Sequence, residues 1–295
     1  MITIYDLDNP GRVEHILSCV MKDKNVQNLQ YKNVSAGQDA TFLINGKWIV
    51  KLGLSEDDYF KFDDQRDLIQ RVRPYMTTVK LPEYETGDFK ITGEFGLADV
   101  IHAARYPKLD GIVMTNFEDL QDLPKQNRVQ IMTDLAQIFH DLHRVPIECV
   151  DDFFPYSPGR KIRRCIAELR PDFYEMSKQK RALLEKNVMR CVYPGMDFCF
   201  CHRDLRPKNF CLSEKLDHVT GVFDFGCAEI DLPQNDIFPY LNNKEDLAVL
   251  QTRYEALSGR RLGTYNVQNA RVVLEKTDVL KSRVMKVLNV NERGV

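Results

Sequence analysis

The sequence predicts an α+β protein of two lobes. A small antiparallel β-sheet with one crossing helix is expected over residues 1–115, and a larger, mainly helical lobe over residues 116–295. Three observations carry this. The first third holds short apolar runs broken by turn residues, Asn45-Gly46 above all, which is the pattern of hairpin-linked strands. After Asn116-Phe117-Glu118 the apolar period lengthens to that of helices. A chain of 295 residues is also long enough to bury the core that two lobes with a cleft between them require.

The elements follow in order. Asn9-Pro10-Gly11 opens a helix over residues 9–29, with Val13, Ile16, Leu17 and Val20 at helical spacing. Strands are expected at 29–34 and 40–44, then at 47–52 after the Asn45-Gly46 turn. On the last of these Lys47, Ile49 and Lys51 share one face and Trp48 and Val50 the other. Residues 57–73 read as the crossing helix, carrying Phe60, Leu68, Ile69 and Val72. Runs at 79–84, 89–91 and 111–114 complete the sheet. The helix over 128–142 aligns Ile131, Leu135, Ile138, Phe139 and Leu142 on one face, and further helices are expected at 160–170, 175–190 and across 244–290.

Composition narrows the partners. A formal net charge of -2 gives no electrostatic case for nucleic acid, and no apolar stretch is long enough to span a membrane. Met1-Ile2-Thr3-Ile4-Tyr5-Asp6 lacks the basic start and apolar run of a signal peptide, which favours the cytoplasm. The eight cysteines include no CxxC pair. They read as buried, reduced thiols, although Cys199, Cys201 and Cys211 are expected on one face, where a thiolate metal site is conceivable.

Two motifs carry the chemistry. The first is Cys201-His202-Arg203-Asp204-Leu205-Arg206-Pro207-Lys208-Asn209, and the second is Phe223-Asp224-Phe225-Gly226. Asp204 can accept the proton of an attacking hydroxyl, while Asn209 and Asp224 offer hard oxygen ligands to a Mg²⁺ held on nucleotide phosphates. Between the motifs, Phe210-Cys211-Leu212 and Val219-Thr220-Gly221-Val222-Phe223 read as a hairpin, which would bring Asn209 and Asp224 to the same end of the sheet.

The order of glycine-containing hairpin, strand lysine, hinge, His-x-Asp-x₄-Asn and Asp-Phe-Gly resembles the protein-kinase-like fold. Within it the chain most resembles the aminoglycoside phosphotransferase and choline kinase branch. The helix end Phe139-His140-Asp141-Leu142-His143-Arg144-Val145-Pro146 and the stretch from Gly226 through Asp231-Leu232-Pro233 to Asp236 are similar to elements of that branch, and no Ala-Pro-Glu motif follows. The resemblance implies that Asp204 orients and deprotonates the acceptor hydroxyl, that Arg206 or Lys208 neutralises phosphate charge, and that Asn209 and Asp224 hold Mg²⁺. It implies nucleotide contacts by Lys51, by Gly37 in the Ser35-Ala36-Gly37-Gln38-Asp39 turn, and at the hinge by Met114 and Asn116. Backbone groups near 115–118 would decide between ATP and GTP. His202 would support the loop. One departure stands out: the family pairs its strand lysine with a glutamate on the crossing helix, which here reads Asp63-Asp64-Gln65-Arg66-Asp67. Asp64, Gln65 and Asp67 each remain candidates.

The expected activity is transfer of a γ-phosphoryl group to a hydroxyl of a small molecule, an aminoglycoside, an amino alcohol or a sugar-like compound. A protein-modifying enzyme of the same fold and a catalytically weak nucleotide-binding regulator are the alternatives. The acceptor wall is expected from 150–195, the catalytic loop and the C-terminal helices. There Asp151, Asp152, Glu168 and Asp172, or aromatic walls such as Phe153, Phe154, Tyr156, Phe173, Tyr174, Phe238 and Tyr240, would suit a cationic acceptor. Arg160, Lys161, Arg163 and Arg164 occupy the same region, so charge leaves the acceptor open.

Overall fold

The computed structural model describes residues 7–35, 40–53, 56–91, 100–193, 196–237, 240, 243–262 and 277–292. Strands β1 (Tyr31–Asn33), β2 (Ala40–Ile44), β3 (Trp48–Leu52), β4 (Glu85–Lys90) and β5 (Val100–Pro107) form one antiparallel sheet in the order β1-β2-β3-β5-β4. The β2–β3 turn is the expected one: Asn45 and Gly46 take φ of 48° and 67°, and Lys47 N donates to Ile44 O at 2.9 Å. Asn and Gly enter this left-handed region with little strain.

Alternation sorts the sheet into two faces. Phe42, Ile44, Val50, Leu52, Ile101 and Ala103 pack on helix α1 (Pro10–Val20) through Val13, Ile16, Leu17 and Val20. The other face carries Lys51 directly opposite Ala104 and turns toward helix α2 (Glu56–Val72) and the cleft. A one-residue slip of β3 would drive Lys51 into the apolar layer, so burial on the α1 side fixes which way the lysine points. Helix α1 is capped by Asn9, whose Oδ1 accepts from Gly11 N at 3.0 Å and Arg12 N at 3.3 Å. It ends at Val20, short of the expected residue 29. Lys22-Asp23-Lys24-Asn25 offers the core nothing apolar, and Asn25 turns left-handed at φ 50°.

The second lobe holds helices α3 (Phe117–Gln121), α4 (Lys125–His143), α5 (Ile147–Val150), α6 (Pro158–Leu169), α7 (Lys178–Val192), α8 (Gln234–Ile237), α9 (Lys244–Ser258) and α10 (Thr277–Glu292). It also holds two strand pairs: β6 (Cys199–Cys201) with β9 (Glu229–Asp231), and β7 (Phe210–Leu212) with β8 (Val219–Val222). Helix α4 is its spine. Ile131, Leu135, Ile138, Phe139 and Leu142 are fully buried, as their spacing predicts. Their core is continuous with Phe62, Leu68, Ile69 and Val72 of α2, so one apolar cluster spans both lobes. Helices α6, α7 and α10 close a separate cluster through Ile162, Ile166, Val188, Leu280 and Val284. Among the described residues no helix is long and apolar enough to cross a membrane.

Two runs that read as strands lie outside the sheet. Lys80 bridges β8, donating to Thr220 O and accepting from Val222 N, both at 3.0 Å; Ile112 exchanges two 2.8 Å bonds with Leu212. Both runs are apolar because they cross onto the β7–β8 hairpin. At Gly111 (φ 118°) a Cβ would stand 2.2 Å from Leu212 O, so glycine lets the hinge run against β7. The strand the sequence pattern misses is β5. Its His102 and Arg105 break the apolar run, and both are buried: His102 Nδ1 lies 2.8 Å from Asp88, and Arg105 pairs with Asp23 at 2.6 Å and Glu85 at 3.0 Å.

Candidate active site

The β7–β8 hairpin delivers what its sequence implies. Phe210 pairs with Val222, and Phe223 N donates to Asn209 O at 3.1 Å, so Asn209 and Asp224 leave the hairpin at the same end. Asn209 is buried, and its amide donates to the Asp204 carbonyl at 2.7 Å and to Asp204 Oδ2 at 3.0 Å. Both N–H groups are thereby engaged, and the carbonyl oxygen is the atom left for a cation. Arg206 Nε lies 2.8 Å from Asp204 Oδ1, and Lys208 Nζ lies 3.2 Å from Oδ2. The two candidates for phosphate neutralisation therefore flank the same carboxylate.

Across the cleft, Lys51 is 6% exposed and its Nζ lies 3.5 Å from Asp224 Oδ1. The helix acids are directed elsewhere. Asp63 and Asp67 each hold Arg66 at 2.8 Å, and Asp64 is exposed. Of the three candidates for the glutamate position, Gln65 is the buried one, at 4% exposure, and it faces the Asp224-Phe225-Gly226 turn. Lys51, Asp204, Asp224, Arg206 and Lys208 give three cations against two carboxylates, a balance that favours a polyanion. The donor set of Asn209 carbonyl and Asp224 carboxylate consists of hard oxygens and fits Mg²⁺.

The loop is braced from behind. His202 is fully buried; its Nε2–H donates to Phe223 O at 3.0 Å, its Nδ1 accepts from Asp204 N at 3.4 Å, and its ring packs on Phe225. Burial holds its pKa below the ordinary 6.5, so the ring is a neutral support. Asp236, with no exposed surface, accepts from His202 N at 3.0 Å, from Arg203 N, and from His143 Nε2 at 3.0 Å. Thus the 139–146 helix end and the stretch reaching Asp236, which the sequence shows only as separate signatures, meet beneath the loop of residues 202–209. Arg203 takes φ 64° and pairs with Glu229 and with Asp231 at 3.3 Å.

The cysteines only partly fit the expectation. Cys165, Cys199, Cys201 and Cys211 are buried, but Cys191 and Cys227 are exposed. Cys199 and Cys201 gather with His143, ligand atoms within 4.8 Å of one another, without Cys211. Each thiol has a backbone acceptor, Asp231 O at 3.6 Å for Cys199 and Leu232 O at 3.5 Å for Cys201.

The hinge is anchored at both ends. Ile112 is bonded to Leu212, and the Asp119 carboxylate accepts from Thr115 N at 3.1 Å and Asn116 N at 3.4 Å. Met114 sits between these anchors with its side chain in the core. The Asn116 side chain caps α3 by accepting from Asp119 N at 2.8 Å, so it is committed to the fold. Gly37 and Phe238 lie outside the described residues. A cavity of about 340 Å³ opens beside the loop of residues 202–209, lined by Asn116, Phe117, Glu118, Arg206, Lys208 and Tyr240 among others. None of the described residues in 150–195 lines it. Their acids are paired locally, Asp151 and Asp152 with Arg160 and Asp172 with Arg170. Phe173 is buried in the α6–α7–α10 core, while Tyr156 and Tyr174 face solvent.

Comparison with known proteins agrees with this architecture. The model of the phosphotransferase enzyme family, APH, matches residues 30–266. The chain belongs to that family. No curated protein matches it. Among solved structures, the GDP and kanamycin complex of APH(2")-IIia superposes with a TM-score of 0.58 at 18% identity, covering 95% of this chain and 97% of that one. The streptomycin–ATP–APH(2")-IIa ternary complex gives 0.56 at 16%, covering 98% and 97%. Macrolide 2'-phosphotransferase MphH from Brachybacterium faecium gives 0.56 at 16%, covering 97% and 94%. At these identities the likeness is one of fold, the two-lobed kinase-like fold of antibiotic phosphotransferases.

Proposed function

We propose that the protein transfers the γ-phosphoryl group of ATP or GTP to a hydroxyl of a small molecule. The observation that carries this reading is the convergence of Asp204, Asn209 and Asp224 at one end of the β7–β8 hairpin, with Lys51 reaching Asp224 across the cleft. Nucleotide would lie between the lobe of residues 1–115 and that of 116–295, and acceptor in the cavity beside Arg206 and Lys208. The solved relatives, whose complexes hold GDP or ATP with aminoglycosides, support the substrate classes.

In this reading Arg206 and Lys208 leave Asp204 for the γ-phosphoryl oxygens, which frees the carboxylate. Asp204 then accepts a hydrogen bond from the acceptor hydroxyl and points its oxygen at the γ-phosphorus. As the new O–P bond forms and the bond to the β-phosphate oxygen breaks, Asp204 takes the hydroxyl proton and nucleoside diphosphate departs. Asp204 would thus both orient the hydroxyl and accept its proton. Lys51 holds the α- and β-phosphates, and Arg206 meets the charge that develops on the γ-phosphoryl oxygens. Asn209 and Asp224 would hold Mg²⁺, which when bound neutralises phosphate charge.

A panel of aminoglycosides, macrolides, amino alcohols and sugars tests the reading. One or more members should gain the mass of one phosphate in the presence of Mg²⁺ and nucleoside triphosphate. A protein that binds no nucleotide, or that modifies only proteins, contradicts it.

A further inference from the structure

Gln65 carries a buried amide that the described residues leave unpaired. Both its Oε1 and its Nε2 are buried and lack a hydrogen-bond partner among the described residues. Buried polar groups are almost always paired, so a doubly unpaired amide points to a missing partner. Its surroundings say which one. A Cβ placed on Gly226 would stand 3.3 Å from Gln65 Nε2 and 3.7 Å from Asp224 Oδ1, so the amide and the carboxylate converge on the same point. Lys51 Nζ approaches that carboxylate at 3.5 Å, and Lys61 Cε lies 3.8 Å from the Gly226 position. Of the acids beside Gln65 on the helix, Arg66 holds Asp63 and Asp67, and Asp64 faces solvent.

We infer that Gln65 is a positioning residue for Lys51 in the nucleotide-loaded state. The inference rests on the phosphotransferase reading above. In the nucleotide-free protein Asp224 serves as the carboxylate beside Lys51. When Asp224 turns to hold the cation, Gln65 Oε1 accepts the hydrogen bond that Lys51 Nζ gives up, and Nε2 donates toward the Asp224 turn. A neutral amide does this without cancelling the ammonium charge, which stays available to the α- and β-phosphates. The amide thus takes the place of an acid while leaving the cleft more positive than an acid would.

The test uses the full-length protein with Gln65→Leu and Gln65→Glu. Melting temperature is measured without nucleotide, and affinity for ATP or GTP is measured by calorimetry with and without Mg²⁺. Gln65→Leu keeps the shape and removes both unpaired groups. Its nucleotide-free Tm should equal or exceed that of the parent, while its affinity with Mg²⁺ falls at least 10-fold and its affinity without Mg²⁺ falls less than 3-fold. Gln65→Glu, which retains an acceptor for the lysine, should recover affinity to within 3-fold. Unchanged affinity in Gln65→Leu, or an equal loss in both variants, overturns the inference. If the parent protein itself binds no nucleotide, the phosphotransferase reading fails and the inference falls with it, a result distinct from the other two.

Discussion

The two walls of the cleft are built differently. On the lower wall the loop of residues 202–209 is held by bonds within the protein: Asn209 on Asp204, His202 on Phe223, and Asp236 on two loop amides and His143. On the upper wall Lys51 reaches across to Asp224 at 3.5 Å, and Gln65 meets no partner among the described residues. The lower wall is thus closed by bonds within the protein, whereas the upper wall holds an amide without one. Under the proposed function, reaction geometry would reside in the second lobe and nucleotide dependence in the first.

Four changes would break or sharpen this contrast. Asp236→Ala should have the largest effect, because it strands two loop amides and His143 in a fully buried setting. Denaturant unfolding should register a loss of about 3–5 kcal/mol, the range for breaking a buried charged pair. The upper wall should respond in binding instead. Lys51→Met should weaken nucleotide binding by about 10–100-fold, the worth of one charge-assisted hydrogen bond, with little change in nucleotide-free Tm.

The third change concerns pH. Because the folded pKa of His202 lies below 6.5, the unfolded chain binds the extra proton first as pH falls. Stability from neutral His202 is therefore present above about pH 6.5 and is lost as the pH drops through the folded value. Between pH 6.5 and 5 the Tm of the parent should fall more steeply than that of His202→Asn, and parallel slopes would contradict the assignment. The smallest effect is expected at Arg203, where φ is 64°. Arg203→Gly and Arg203→Ala both lose the bonds to Glu229 and Asp231, but glycine is at ease in this conformation. The alanine variant should be less stable by about 1 kcal/mol in urea unfolding.

The same division explains what was legible in the sequence. The lower wall is encoded by contiguous residues, so Asp204, Asn209 and Asp224 could be read from spacing and from a hairpin whose ends must meet. The role of Asp236 was hidden because it contacts His143 and the loop across long stretches of chain. Strand β5 escapes the sequence pattern because His102 and Arg105 are buried by pairing with acids that no local pattern reveals. The runs at 79–84 and 111–114 look like strands because they are extended and apolar, but their partners are in the other lobe. Which of three helix residues faces Lys51 depends on the rotation of α2. Core packing of Phe62, Leu68, Ile69 and Val72 sets that rotation and turns Gln65 inward.

The most direct test of the account is the rate of Mg²⁺-dependent nucleoside triphosphate turnover, with water or an identified acceptor, in the parent protein and in Asp204→Asn, with nucleotide affinity measured in parallel. The account predicts affinity within about 3-fold and turnover reduced by about 10²–10⁴-fold, the usual worth of a positioned general base. Full turnover in Asp204→Asn would contradict it.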